Sequence, residues 1–416
     1  MNPLPRVLHV VESWRPVPSG YASRSWWLVE EQHALAISQP AVLVTSRQWV
    51  YDREGLISNA CCPVTLVQSS RNEQLLRETL PMPFRRPFHV DERALTAAIA
   101  RSAQQHRATI IHAHWASSIG RSAAQAAKML GIRFVAEMRF DLASAVFSQQ
   151  TRSYLTPVEP FLRRWFDRHL AHANAIVAAS EAMAVLLRQC AHIDGRQIHV
   201  VPNGMSDAFL EDCVKQRSKR LLQNSTRDAP MSRVVLGTTA KMLKYENLVS
   251  LILVAERLPN IDLVFIGDGP ERAALEQCAI ALNRTRANRV RFLGQLPAAR
   301  IPEQLVGIDI FAIPRESRVI TRHASPIKLI EAMAAGCSVV ATAVGDSTRL
   351  LADGRGILVP PDDFDSLLQS VSRLADDSSL RGTLGERARQ RIMDHYRSHQ
   401  VMEQYRAVYN EALESH

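Results

Sequence analysis

No uninterrupted apolar run of about 18 residues occurs in the 416-residue chain, so no stretch has the length of a bilayer-spanning helix. Met1–Arg6 runs straight into Val7–Val11, an apolar segment too short and too polar-flanked for a secretory signal. Cysteine is sparse and unpatterned: Cys61 and Cys62 are adjacent, while Cys190, Cys213, Cys278 and Cys337 are scattered without a C-x-x-C spacing. That spacing points away from a zinc module and from a disulfide framework, and a cytoplasmic setting is expected. Zinc-finger spacing, an aromatic RNA-binding signature and a long basic run are missing too, which ranks nucleic acid last among partners.

What is present is a soluble composition, 46% apolar and 22% charged, on a chain longer than one hydrophobic core usually serves. Two domains are expected. The balance is basic, with 50 Lys and Arg against 41 Asp and Glu and a formal charge of +9, and this calls for an anionic partner.

Strand-like and helical segments alternate along the chain. Val7–Val11, Ala41–Thr45, Thr109–His114, Arg133–Met138, Ala175–Ala179 and His199–Pro202 read as buried strands. Helical patterns cover about Ala22–Leu35, Val90–Gln105, Arg121–Leu130 and Glu181–Cys190. Such alternation predicts a largely parallel sheet whose ligand crevice lies at the carboxyl ends of the strands, where Gly20, His112, His114 and Arg139 fall. Tyr51–Phe88, which holds Pro81, Pro83 and Pro87, reads as loops. Pro160–Ala171 mixes Phe161, Leu162, Trp165 and Phe166 with three arginines and reads as a helix, packed on its own domain or resting on an anionic membrane surface. The expected boundaries are 1–206 for the first domain, 207–232 for a linker and 233–393 for the second, with 394–416 crossing back.

The most informative stretch is His323–Gly336, H-A-S-P-I-K-L-I-E-A-M-A-A-G. Ser325 suits an N-cap, Pro326 the first helical position and Gly336 a left-handed end. The helix start would offer unpaired amides and partial positive charge to a phosphate, with Glu331 about a turn and a half further on, near the hydroxyls of an attached ribose. Lys328 in the first turn opposes the macrodipole, which is tolerable beside an anion. Gly267-Asp268-Gly269-Pro270 follows another strand, and Asp268 suits a cap for the next helix.

In order along the chain, S-G-Y-A-S-R at Ser19–Arg24, H-V-V-P-N-G at His199–Gly204, F-I-G-D-G-P-E at Phe265–Glu271, F-L-G-Q-L-P at Phe292–Pro297, S-P-I-K-L-I-E-A-M-A-A-G at Ser325–Gly336 and G-I-L-V-P-P-D-D at Gly356–Asp363 resemble the retaining glycosyltransferases of family 4. The resemblance implies an α/β fold of GT-B type, two doubly wound Rossmann-like domains facing a central cleft. It implies transfer of a sugar from a nucleotide diphosphate sugar to an acceptor hydroxyl, with retention, without a metal and with no cofactor besides the donor as co-substrate. Glu331 is then expected on the ribose, the backbone around Ser325, Pro326 and Ile327 on the diphosphate, and Gly20 approaching it from the first domain. Gly267, Asp268 and Gly294 complete the donor side.

The chain departs from that pattern at three places. His323 stands where the family usually has a glutamate eight positions before Glu331. The usual arginine and lysine after the first strand of the second domain become A-K-M-L-K-Y-E-N, so Lys241 is expected in the leaving-group role and Lys244 second, with Glu246 near the place of a lysine. Arg139 replaces a histidine in E-M-R-F-D and, with His114, completes the expected catalytic set. Arg139, Arg322 and His323 would favour a negatively charged sugar. The expected acceptor is a glycan or lipid-linked intermediate of envelope or exopolysaccharide synthesis, met by a peripheral enzyme at the inner membrane face. The alternatives are a non-catalytic GT-B protein that binds donor or partner, and a nucleotide-sugar epimerase or hydrolase.

Overall fold

A computed structural model describes residues 3–12, 14, 20–45, 60–67, 92–114, 118–139, 168–190, 193, 197–225, 233–285 and 289–415. The chain divides into two compact units, Met1–Asn203 with Ser398–His416, and Gly204–Arg397.

The first unit is built on β1 (Arg6–Val11), β2 (Gln39–Val44), β3 (Val64–Leu66), β4 (Ile110–Ala113), β5 (Arg133–Met138), β6 (Ala175–Ala178) and β7 (Ile198–Val200). They form one sheet in the order β3-β2-β1-β4-β5-β6-β7, parallel throughout. The strands read as apolar runs because both faces are covered. Leu8, Val10, Ile111, Phe134 and Ile176 pack under the helices Glu92–Gln105, Ser118–Leu130 and Glu181–Arg188. Their neighbours Val7, Ile110, Val135 and Val177 point the other way and meet Leu28 of the helix Gly20–Ala34 and Val401, Met402, Tyr405 and Tyr409 of the last helix, Ser398–Glu414. The final helix therefore completes the first unit's core. Of Tyr51–Phe88, expected as loops, the described part contains β3, which pairs with β2 at the sheet edge. The expected helix Pro160–Ala171 lies outside the described residues up to 167, and its last residues form the 3-10 turn Arg168–His172.

The second unit carries β8 (Val234–Ala240), β9 (Ile261–Gly267), β10 (Val290–Phe292), β11 (Ile310–Ile313), β12 (Ser338–Thr342) and β13 (Ile357–Val359), parallel and in the order β10-β9-β8-β11-β12-β13. The stretch 207–232, expected as a linker, holds the helix Asp207–Ser225. Its Leu210 and Cys213 are buried with Met333 and Cys337, and the low apolar content that suggested a linker belongs to its outer face, where Lys215 and Lys219 are exposed. The helices Ser378–His395 and Ser398–Glu414 are separated at Tyr396–Arg397.

In both sheets the first strand lies between the second and the fourth, β1 between β2 and β4 and β8 between β9 and β11. Connections leave in opposite directions there, and the loops beyond the two central strands part to form a crevice.

Candidate functional site

Each of these switch points carries a cluster of charged and polar side chains. In the first unit it centres on Glu137 of β5, fully buried. Arg24 Nε and Arg139 Nε donate to Glu137 Oε1 at 2.9 and 2.8 Å, and the Tyr405 hydroxyl donates to Oε2 at 3.0 Å. Arginine only donates and a carboxylate only accepts, so Glu137 is the acceptor of this cluster. His114 Nδ1 lies between Arg139 Nη2 at 2.7 Å and Glu137 Oε2 at 3.1 Å, and its Nε2 lies 2.8 Å from His9 Nδ1. His112 Nε2 lies 3.2 Å from Glu137 Oε2, and its Nδ1 accepts from the Tyr409 hydroxyl at 2.9 Å. That hydroxyl accepts in turn from Gln32 Nε2 at 2.9 Å, and Ser38 donates to Gln32 Oε1 at 2.8 Å. Arg24 also reaches the Val201 carbonyl at 3.1 Å and the Asn203 side chain, and Arg139 Nη1 reaches Ser25 Oγ at 2.8 Å.

The three histidines of the cluster are neutral. Burial pushes His9 and His114 well below the ordinary imidazole range, His112 adding to both, and lowers His112 as well. Burial alone would raise the Glu137 carboxyl, but Arg139 and Arg24 hold it well below the carboxylate range. His9, His112 and His114 offer one nitrogen each within 4.8 Å of one another, the composition of a metal site. A cation there would have to open the bond between His9 and His114 and approach two guanidinium groups. The trio fits its hydrogen-bonded core better than an ion. The side chains of His114 and Arg139, expected at the reaction centre, are thus engaged inside the unit, 1% and 4% exposed. Arg139 is committed to Glu137 and His114 rather than presented to an anionic sugar.

In the second unit the loops after β8, β9 and β11 stand side by side. Gly267 N donates to the Gly294 carbonyl at 2.7 Å, and a Cβ on Gly267 or Gly269 would overlap the carbonyl oxygens of Ala240 or Lys241. These glycines are therefore required by the close approach of two loops. Gly267 also has φ +120°, which L side chains rarely adopt. Gly267→Ala is expected to destabilise the protein by roughly 1–3 kcal/mol. A denaturant titration checks this, and an unchanged midpoint would contradict it. Asp268, expected as a helix cap, instead accepts from Gly269 N at 2.7 Å and from Arg272 at 3.0 Å, which stiffens the loop. Lys241 and Lys244 follow β8 and are exposed.

The helix after β11 spans Ile327–Ala335. Its N-cap is Pro326, with φ −74° and ψ 116°, not Ser325, and it has no side-chain cap bond. Proline fixes φ but leaves ψ free, and here the extended ψ delays the first turn by one residue. Leu329, Ile330 and Met333 are buried, and Gly336 ends the helix at φ 76°. His323 closes the preceding short helix, Val319–Arg322. Burial pushes the half-buried Glu331 carboxyl up to about 7, with Lys328 acting in the opposite sense.

Glu246, Arg315 and Lys328 join these loops across the switch point. Arg315 Nη2 donates to Glu246 Oε1 at 2.8 Å and Lys328 Nζ to Oε2, with side-chain exposures of 15, 4 and 11% for Arg315, Glu246 and Lys328. Burial would raise Glu246, but Arg315 and Lys328 hold it at about 2; burial lowers Lys328 to about 8. A recess of about 240 Å³ nearby is lined by Asn247, Glu316, Asp362 and Asp363, among others, and its acidic lining disfavours a phosphate. Asp363 and Asp365, spaced D-x-D, start the helix Phe364–Asp376, where Asp363 accepts from Ser366 N at 2.9 Å as N-cap. Sequence reasoning passed over Glu137 and Arg315, and it named Lys328 and Glu246 without pairing them. The available signals were Glu137 two residues before Arg139 and an acid at 246 where a base was expected.

Two doubly wound parallel units with the second unit's glycine-lined loops and helix start define the GT-B class. Solved structures that share this fold along nearly the whole chain include sucrose-phosphate synthase from Thermosynechococcus elongatus, at 16% identity and a TM-score of 0.73 over 98% of each chain. HepE from Anabaena, solved with UDP and glucose, superposes at 18% identity and a TM-score of 0.68, over 97% of this chain and 99% of that one. The chain belongs to the group 1 glycosyltransferases: the Glycosyltransferase Family 4 model matches residues 57–209 and the model described as Glycosyl transferases group 1 matches 235–377. It is 29% identical to the phosphatidyl-myo-inositol mannosyltransferase of Mycolicibacterium smegmatis over 46% of each chain. It is 22% identical to the N-acetyl-alpha-D-glucosaminyl L-malate synthase of Bacillus anthracis, over 77% of this chain and 79% of that protein. Among the described residues no helix is long and apolar enough to cross a membrane.

Proposed function

We propose that the protein transfers a sugar, with retention at the anomeric carbon and without a metal, from a nucleotide diphosphate sugar to an acceptor hydroxyl of a glycan or lipid-linked intermediate in envelope or exopolysaccharide synthesis. The observation that carries this reading is the second unit's switch point, where a helix start and the half-buried Glu331 and Lys328 stand beside glycine-lined loops. Fixed amides and cations at that point would stabilise the departing diphosphate, the kind of electrostatic assistance that usually contributes most to catalysis. Glu331 accepts from the ribose hydroxyls in this reading, and the backbone at Ile327 holds phosphate. Lys241 and Lys244, exposed after β8, and His323 beside the helix start complete the donor contacts. One of the named relatives is a phosphatidyl-myo-inositol mannosyltransferase, which supports a lipid acceptor. A basic chain and such an acceptor favour work at the inner face of the membrane.

The test is release of nucleoside diphosphate from a panel of UDP-, GDP- and ADP-sugars with and without added acceptor lipids and oligosaccharides. Release that rises at least tenfold with an acceptor is expected, and the product should keep the donor's anomeric configuration by NMR. Equal release without acceptor would indicate a hydrolase, and donor binding without release a non-catalytic binder. Because cations of the chain serve the diphosphate, chelation with EDTA should leave the rate within about twofold; a loss beyond tenfold that Mg²⁺ restores would remove the metal-independent part.

A further inference from the structure

We propose that donor binding is proton-linked: the Glu331 carboxyl carries a proton in the free protein and releases it to solvent as the donor's two ribose hydroxyls bind to its oxygens. This deepens the donor reading above and rests on it.

Three features of the site favour a proton on Glu331. The side chain is half-buried on the helix Ile327–Ala335 and makes no hydrogen bond or ion pair among the described residues. A carboxylate taken out of water without a donor is costly, and the group takes up a proton instead. Lys328 acts on it through space from one turn earlier on the helix, but its ammonium bonds Glu246, which Arg315 also holds. Glu331 is also the fifth residue of the helix, past the first turn in which the peptide dipole favours a carboxylate.

Among the described residues, the other elements packed on this helix supply no counter-ion in place of Lys328. The helix Asp207–Ser225 presents the thiol of Cys213, which burial, Asp212 and Glu331 itself push up to about 12, so it is neutral here. Arg217 of that helix and Arg389 of Ser378–His395 lie at the far end, against Gly336. Glu303 of the helix Ile301–Val306 pairs with Arg300 in solvent, and β12 holds no ionisable side chain. Burial thus outweighs Lys328 and brings the carboxyl to about 7.

Ribose reverses that balance. Its 2′- and 3′-hydroxyls each offer a donor, and an ionised carboxylate accepts both as charge-assisted bonds, about twice as strong as neutral ones. The ionised form is therefore the binding form, and acidification through neutrality loosens the donor.

Thermal shift with UDP, GDP and ADP first selects the nucleotide that the wild-type protein binds. Calorimetry then compares that nucleotide with its 2′,3′-dideoxy analogue, because titration of the phosphates and of Lys328 affects both alike and cancels in the ratio of affinities. For the wild type that ratio should rise about tenfold from pH 6 to pH 8. At pH 7 the ribonucleotide should release about half a proton more than its analogue, read from the heats in two buffers of different ionisation enthalpy. Glu331→Gln keeps the shape but cannot ionise, and its ratio should not change with pH. A wild-type ratio above one that stays flat from pH 6 to pH 8, or a slope that survives in Glu331→Gln, would overturn the inference and leave the donor reading standing. If none of the three nucleotides binds, or if the analogue binds as tightly as the ribonucleotide at every pH, the donor reading itself falls and this inference with it.

Discussion

Glu137→Ala lowers the thermal midpoint of the protein by roughly 10 °C, about 3–5 kcal/mol, because it leaves the buried charges of Arg24 and Arg139 without their counter-ion. Both guanidinium groups lie at most 4% exposed, and each places its Nε on one oxygen of this carboxylate. Tyr405 loses its acceptor as well, so the last helix loses a polar anchor to β5. The comparison that gives the number meaning is Arg188→Ala, which removes an exposed pair with Glu181 and should cost under about 1 kcal/mol. Calorimetry of the two variants decides it. A Glu137→Ala protein within about 1 kcal/mol of wild type would show that water enters the site, or that the arginines turn outward, and the derived network would be wrong.

Stability should also fall steeply in mild acid. His9, His112 and His114 are neutral in the folded unit, with pKa values below that of the unfolded chain. The unfolded state therefore binds more protons once the pH drops below about 6.5, and each histidine then removes up to about 1.4 kcal/mol per pH unit until its own folded pKa is reached. Glu137 acts in the same direction at lower pH. Its depressed pKa contributes stability above the unfolded carboxylate range, and this is lost as the pH falls through the folded value. Arg139 and Arg24 face the same cluster and oppose any imidazolium there. Glu331, raised to about 7 in the folded second unit, works the other way and offsets about one proton. Unfolding free energy from denaturant titrations between pH 8 and 5 should therefore be nearly flat down to about 6.5 and then decline with the histidines that remain in excess. In His9→Gln the decline should be shallower by about one proton; an identical slope would mean that His9 is protonated when folded.

Much of the fold was legible in the chain because parallel strands buried on both faces leave continuous apolar runs. Arg133–Met138 could be read to the residue, and the other expected strands of the first unit to within one or two. Helix ends were less legible where proline was involved, since its ring fixes φ and says nothing of ψ, which is why the helix begins at Ile327 after an extended Pro326. The helix Asp207–Ser225 was misread as a linker because only a narrow stripe of it, Leu210 and Cys213 among others, touches a core. Of the expected site residues, Gly267 and Gly294 meet directly and the loop of Asp268 stands beside them, whereas His114 and Arg139 are drawn into the core of the first unit.

By itself, then, the sequence determined the two-unit α/β architecture, the family, the glycine-lined loops and the helix that carries Glu331. These depend on local period, turn chemistry and the order of motifs, all of which one dimension preserves. The partners of each charge were decided only in three dimensions. Arg24 meets Glu137 across 113 residues, Tyr405 reaches it across 268, and Glu246 takes Lys328 across 82. A charge in a sequence carries no sign of its burial, and burial decides whether a histidine stays neutral, an arginine is structural or a lysine must share a carboxylate.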